Sequence, residues 1–410
     1  MVDPDELSAR LTAELDERLA EADGQLASRY PGERPGRQPV HTAYVPADRF
    51  GAGTARSWGE EALALLDEHA AEFATVVADA DIIRRVKAKL GDEPVEDLRV
   101  DFEDGYVGHS SEEEDEHVRT AAHALAEAQQ DETAPPCSGI RIRSFDPASR
   151  ARGVRTLTRF LTAYAEAKGS MDGFVVTLPK VTSTEQVAAF VHAASTIEDE
   201  IGLADEAVRF EVQVETPQTI LGADGTALVA RIVHASGGRL TGLHYGTYDY
   251  SAYLGIAAGQ QSLEHPAADH AKLVMQAAAA GTGVRLSDGS TNVLPVGDAE
   301  AIHLAWDNHL RLVTRSLERG FYQGWDLHPG QLPTRYAATY TFFRGGLPKA
   351  LERLATYAEQ RQTDGPTGSI ADEPATARAL ADFVLRGLDC GAVDAGEVGD
   401  VEELRRLAHR

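Results

Sequence analysis

Two cysteines, six lysines and no long apolar run are what this sequence offers where other chains offer more. Cys137 and Cys390 are too few for a Cys-based metal cluster and suit a reducing compartment, with a disulfide between them left open. The longest apolar stretches, such as 171–181, fall short of the roughly 20 residues that a membrane span requires, so no transmembrane helix and no membrane partner are expected. Asp3, Asp5 and Glu6 stand where a secretory signal has a basic region and an apolar run, which predicts a cytoplasmic protein. Positive charge is scarce: 39 basic against 65 acidic residues give a formal net charge of −26. A polyanion is repelled by such a surface, and no basic stripe interleaved with aromatics occurs, so nucleic acid is excluded as a partner. The lysine-poor, acid-rich composition fits a salt-rich cytoplasm or a genome that favours arginine; charge of this kind bears on solubility and not on fold.

What is present is a regular alternation. The 410 residues suit one α/β barrel with extensions. Leu7, Leu11, Leu15 and Leu19 recur every four residues and predict a helix over 6–22 with one apolar stripe, packed on the body or on a neighbouring subunit. A Pro- and Gly-rich link covers 31–39. Short β-rich runs follow near 41–47, 97–104, 138–145, 173–181, 209–216, 240–246, 284–290 and 322–329. Helical spacing fills 57–90, 112–129, 149–168, 184–200, 218–235, 265–281 and 297–319, and the acidic run Glu112 to Glu116 reads as the first turn of one of these helices. Eight strand–helix units predict a (β/α)8 TIM barrel at 37–345, an N-terminal helical segment at 1–36 and a C-terminal helical extension at 346–410. In that extension Leu347, Leu351 and Leu354 start a helix, a linker spans 363–369, and a last helical region runs from 374 to the end.

Barrels of this type build their sites from the loops at the carboxyl ends of the strands. Those ends carry DFED (101–104), RIR (141–143), PK (179–180), EVQVET (211–216), GTYD (246–249), SDGS (287–290) and DLHP (326–329). Any one of these groups could be a helix cap or a salt bridge; their coincidence at one rim is what points to chemistry. Side chains alternate along a strand, so Glu211, Gln213 and Glu215 share a face. Inward acids need partners, since each bare buried carboxylate costs several kcal/mol. Without cysteine ligands or paired histidines, a hard cation with oxygen donors fits best, and Mg2+ (or Mn2+) commonly takes one or two carboxylates, here Glu215 and Asp249. The competing reading is an Arg–Glu network joining Arg141 or Arg143 to Glu103 or Glu211. His41, His244 and His328 lie on strands, as proton carriers or as satisfied structural residues. Lys180 could form a Schiff base with a carbonyl, a route that needs no metal and that the paired carboxylates argue against.

Six of these segments, in order, resemble the citrate lyase beta subunit-like branch of the HpcH/HpaI aldolase superfamily: VDFEDGY (100–106), GIRIRSF (139–145), FVVTLPKV (174–181), VETPQTIL (214–221), LHYGTYDYSAYLG (243–255) and GFYQGWDLHPGQL (320–332). The resemblance implies a Mg2+-dependent carbon–carbon lyase or aldolase acting on a 2-oxo acid with a pyruvate, oxaloacetate or glyoxylate fragment. By position it makes Glu215 and Asp249 the metal ligands and Arg141 the cation facing the substrate's oxygen. The backbone amides of Gly246 and Thr247 hold the substrate carboxylate, and Glu103 and Asp104 orient Arg141 or metal-bound water. His328 braces the last turn. Arg143 stands where these relatives have asparagine and suggests a more anionic substrate. GAVDAGEV (391–398) resembles the segment from which an adjacent subunit donates an acid or base in CoA-dependent relatives, which makes Asp394 a candidate. Coenzyme A thioesters are the alternative substrates, with Lys180 as one basic group for binding. A metal- and dicarboxylate-binding subunit without turnover is the alternative from another class. A homo-oligomer, trimer or hexamer, is implied as well.

Overall fold

The computed structural model describes residues 3–363 and 373–408. Eight parallel strands alternate with helices: β1 His41–Pro46, β2 Asp97–Asp101, β3 Cys137–Arg141, β4 Phe174–Leu178, β5 Arg209–Val214, β6 Leu240–Tyr245, β7 Arg285–Ser287 and β8 Gly324–Asp326. Hydrogen bonding runs in the order β7-β6-β5-β4-β3-β2-β1-β8. The ring closes where Ser287 bridges Gln323 and the amide of Asp288 donates to the Gln323 carbonyl at 2.8 Å. The chain is therefore the (β/α)8 barrel that the alternation predicts.

The apolar core lies between the sheet and the helices. Leu98, Val100, Ile140, Val176, Leu178, Phe210, Val212, Val214 and Leu243 are all at most 1% exposed and belong to one cluster with the helix side chains. The inward face is different. Where such barrels usually stack branched aliphatics, this one places Arg99 at the centre, 3.1 and 2.9 Å from the two oxygens of Glu211 and bonded to Asp97 as well. His244 reaches Glu211 at 2.9 Å, and the Trp325 indole donates to its other ring nitrogen at 3.1 Å. Each buried charge is matched within the barrel, which is the condition for its being tolerated. An arginine–glutamate network does form around Glu211, but through Arg99.

Several helices differ from the sequence reading. The stretch 57–90 is three helices, Thr54–Glu68, Ala70–Val76 and Ala80–Asp92; the break precedes Asp79, whose carboxylate caps the amides of Asp81 and Ile82. Residues 218–235 divide into Pro217–Ile220 and Leu228–Ala235 around a turn containing Gly222 and Gly225. The N-terminal helix runs over Pro4–Arg29 and buries no residue, so its leucine stripe does not pack on the body. One helix, Leu332–Thr363, passes through residue 346 and packs against Pro374–Asp389; the linker expected at 363–369 falls, beyond Thr363, outside the described residues. Ser110 and Glu113 form a reciprocal capping box at the start of Ser111–Gln130, so the acidic run there opens a helix as expected. Both cysteines are free. Among the described residues no helix is long and apolar enough to cross a membrane.

Candidate active site

At the carboxyl ends of the strands a cavity of about 450 Å3 is lined by residues of β1, β2, β3 and β8 and of the segments that follow β1, β2, β5, β6, β7 and β8. Tyr44, Pro46, Trp325 and Leu327 make an apolar wall, and Asp101, Asp104, Arg141, Glu215, Asp249 and Arg49 supply the charge.

Arg141, 6% exposed at the end of β3, is fixed from three sides. Asp101 accepts from its Nε and Nη2 at 2.7 and 2.6 Å, Glu103 lies 3.5 Å from Nη1, and the Tyr44 ring sits 4.8 Å from the guanidinium carbon. Asp101 also accepts the amides of Glu103 and Gly105, at 2.9 and 2.8 Å, so it folds the β2 loop and orients the arginine together. Paired with two carboxylates in a dry setting, the guanidinium keeps its charge at every accessible pH.

Glu215, just past β5, is 2% exposed and accepts the backbone amide of Lys180 at 2.8 Å. Burial, with Glu103 and Asp249 nearby, pushes its carboxyl up to about 8, although Lys180 pulls the other way. Burial likewise raises Glu103 to about 7 and raises Asp249. Burial opposes ionisation of Asp104 too, but its bond to the Lys180 ammonium holds it below the usual range. The Lys180 Nζ bonds Glu103, bonds Asp104 at 2.8 Å and stands 3.7 Å from Asp249. Five carboxylates thus surround two cations, Arg141 and Lys180, with Arg49 at the cavity wall.

This donor set fits a divalent cation. All the available ligands are hard oxygens; of the carboxylates that line the cavity, Asp101 is bonded to Arg141 and Asp104 to Lys180, which leaves Glu215 and Asp249, within the one or two carboxylates that Mg2+ commonly uses. Burial, with Glu103 and Asp249 nearby, disfavours the charged form of Glu215, and a bound cation is what would stabilise it. Gly246 preserves the space: a Cβ there would come within 2.7 Å of Glu215 Oε2. Among the described residues no group of three or more His, Cys, Asp or Glu side chains forms a protein-only cage, so water or substrate would complete such an ion's shell.

The structure brings Arg141, Glu103, Asp104, Lys180, Glu215, Asp249, Gly246 and Thr247 to one rim. It does not bring the others. His41 opens β1 at the opposite end of the barrel, fully buried; Nε2 accepts the Glu96 amide at 3.1 Å and Nδ1 lies 3.0 Å from Asp326, so the ring is occupied as packing and not aimed at the cavity. Asp394 is on the outer surface, its side chain 61% exposed, and pairs with Arg85 at 2.8 Å; within one chain it takes no part in the cluster. The Gly246 amide is spent on the Val214 carbonyl at 3.0 Å, which leaves the amides at the start of Thr247–Tyr253 as the free donors there. Arg143 turns outward to Glu114, 3.3 Å away beside Arg152, and adds no charge to the cavity. Asp326 and Asp288 also leave the rim, for Arg335 and His309 in the first case and for Lys272 and Ser316 in the second. His328 caps the turn Pro329–Gln331 by accepting the Gly330 amide. The charged surroundings of Lys180 raise its pKa, opposite to what an amine nucleophile needs.

Asp101, Tyr44, Trp325 and Arg49 were not singled out from the sequence. For the first three a signal existed: alternation places Asp97, Arg99 and Asp101 on one face of β2, and Thr42 with Tyr44 and Gln323 with Trp325 on the matching faces of β1 and β8.

Residues 19–410 match a family model described as a domain of unknown function, DUF6986. No protein of curated function matches the chain in sequence. Among solved structures, a citrate lyase from Burkholderia xenovorans LB400 shares 19% identity at a TM-score of 0.62, over 90% of this chain and 98% of that one. A malate synthase from Haloferax volcanii shares 14% identity at a TM-score of 0.51, over 92% and 99%; the magnesium and glyoxylate complex of that enzyme aligns with a TM-score of 0.50. These likenesses establish a common fold, in accord with the resemblance read from the six motifs.

Proposed function

The chain belongs to the DUF6986 family, and we propose that it is a Mg2+-dependent carbon–carbon lyase or aldolase that makes or breaks the bond next to the carbonyl of a 2-oxo acid. The observation that carries this reading is the buried Glu215 lining one cavity with Asp249 and with an arginine, Arg141, held rigidly by Asp101. Glu215 and Asp249 would hold the ion. When bound, it supplies the Lewis acidity that offsets negative charge on the 2-oxo acid fragment as the bond breaks.

The chain's own residues do the rest. Arg141, oriented by Asp101 and Glu103, presents a permanent positive charge to the substrate's oxo or carboxylate oxygen. Preorganisation of that kind is effective because no solvent or side chain has to reorient during the reaction. The amides that open Thr247–Tyr253 receive the substrate carboxylate. Tyr44, Trp325 and Leu327 exclude water from one side of the cavity, which strengthens each charge–charge term inside it. Glu103, with its carboxyl raised to about 7, can hold or release a proton near neutrality.

A second reading, a CoA-thioester lyase or synthase, is favoured by Arg49 at the cavity wall and by the shared fold with malate synthase. A screen of 2-oxo acids paired with aldehydes or acyl-CoAs, with Mg2+ or chelator and in high salt, separates these cases. Metal-dependent turnover of free 2-oxo acids supports the first reading. Turnover of a 2-oxo acid only when an acyl-CoA is its partner supports the second, and binding without product would reduce the chain to a binding subunit.

A further inference from the structure

Lys180 stands out within the rim cluster. Its φ of +51° lies in the left-handed region, where a lysine is rare. Glycine would be the ordinary choice for this turn, and what sets Lys180 apart is where its two ends go. The turn attaches the residue at both ends: the backbone amide donates to Glu215 and the ammonium reaches Glu103, Asp104 and Asp249. The positive charge thus rests among the same carboxylates that would receive a divalent cation.

We infer that Lys180 is a built-in competitor for the divalent ion, a positioning residue whose ammonium serves as counter-ion to the carboxylates and must give up Asp249 when a cation binds. This rests on the proposal that Glu215 and Asp249 hold the ion. The consequence is that the site is weak for a bare cation. It becomes strong only when an anionic substrate arrives with the ion, because the released ammonium, tethered by Asp104 and Glu103, then has a second anion to face. Metal and 2-oxo acid would accordingly bind with positive coupling, each raising the other's affinity by the same factor.

The test is Mn2+ binding to the whole chain, read by EPR or calorimetry, for wild type, Lys180→Met, Lys180→Arg and Glu215→Gln, with and without pyruvate or oxaloacetate. Removing a unit charge a few ångströms from the ion tightens Mn2+ in Lys180→Met by about tenfold or more and reduces the coupling to the acid, whereas Lys180→Arg stays near wild type. Unchanged or weaker Mn2+ binding in Lys180→Met, while Glu215→Gln loses it, overturns the role of Lys180 and leaves the metal site standing. No difference between wild type and Glu215→Gln overturns both. If Lys180→Met does not fold, amine labelling of wild type decides. The chain has only six lysines, so labelling at Lys180 is readily mapped; it rises when saturating Mn2+ is added without the acid, and an unchanged or lower value refutes the release.

Discussion

The closest steric test of the rim is Gly246→Ala. The backbone there, at φ −97° and ψ 99°, is open to any residue, so the substitution adds a methyl group and no backbone strain. That methyl would stand 2.7 Å from Glu215 Oε2 and closer still to Glu215 Cβ. Ordinary contact is about 3.5–4.0 Å, so the glutamate must retreat by about 1 Å. A shift of that size at a reacting centre costs about 100-fold in rate, against about 1–3 kcal/mol of overpacking in stability. The assay is the metal-dependent rate on the 2-oxo acid identified by the screen, with a Mn2+ titration and a denaturation curve alongside. Gly91→Ala is the control, since a methyl there meets nothing within 4 Å. Unchanged rate and unchanged Mn2+ affinity in Gly246→Ala would refute the placement of Glu215 at the reacting centre.

Other outcomes follow from the same geometry. Arg99→Met leaves Glu211 and Asp97 buried without their guanidinium and should cost about 3–5 kcal/mol in chemical denaturation; a loss below about 1 kcal/mol would show that His244 and water replace it. His41→Gln should lower stability by about 1–3 kcal/mol and leave kcat unchanged, because the ring packs between Glu96 and Asp326; a collapse of kcat at normal stability would return it to catalysis. Glu103 and Glu215 are raised to about 7 and 8 in the folded chain from an ordinary 4.5. The stability they contribute is present below pH 4.5 and is lost as pH rises through those values. Thermal melting in chelator should therefore fall between pH 5 and 9, and Mg2+ should restore it most at the alkaline end; a melting curve flat in pH, or indifferent to Mg2+, contradicts the raised carboxyls.

Parity along the strands explains what was legible in the sequence. Glu211, Gln213 and Glu215 were readable as one inward row because β5 is six residues long and its alternation persists to the rim. The same rule misleads at Arg143, which has the parity of Arg141: β3 ends at Arg141, and beyond it the chain leaves the sheet and turns toward Glu114. Asp288 and Asp326 were counted by their position at the rim although they face the helices, and β7 and β8, three residues each, give the alternation little length in which to show itself. The interior Arg99–Glu211 pair joins strands 112 positions apart, and nothing local to either residue names its partner. Asp394 was carried by resemblance alone, and one chain places it on the surface beside Arg85.

The proposed function depends on Glu215 and Asp249 sharing one divalent ion. The most direct measurement is Mn2+ stoichiometry by EPR on wild type, Glu215→Gln and Asp249→Asn, paired with the metal-dependent rate on the best 2-oxo acid. One ion per chain is expected in wild type, with both ion and rate lost in either variant while melting in chelator does not fall. Retention of near-native Mn2+ binding and turnover in either variant would contradict it.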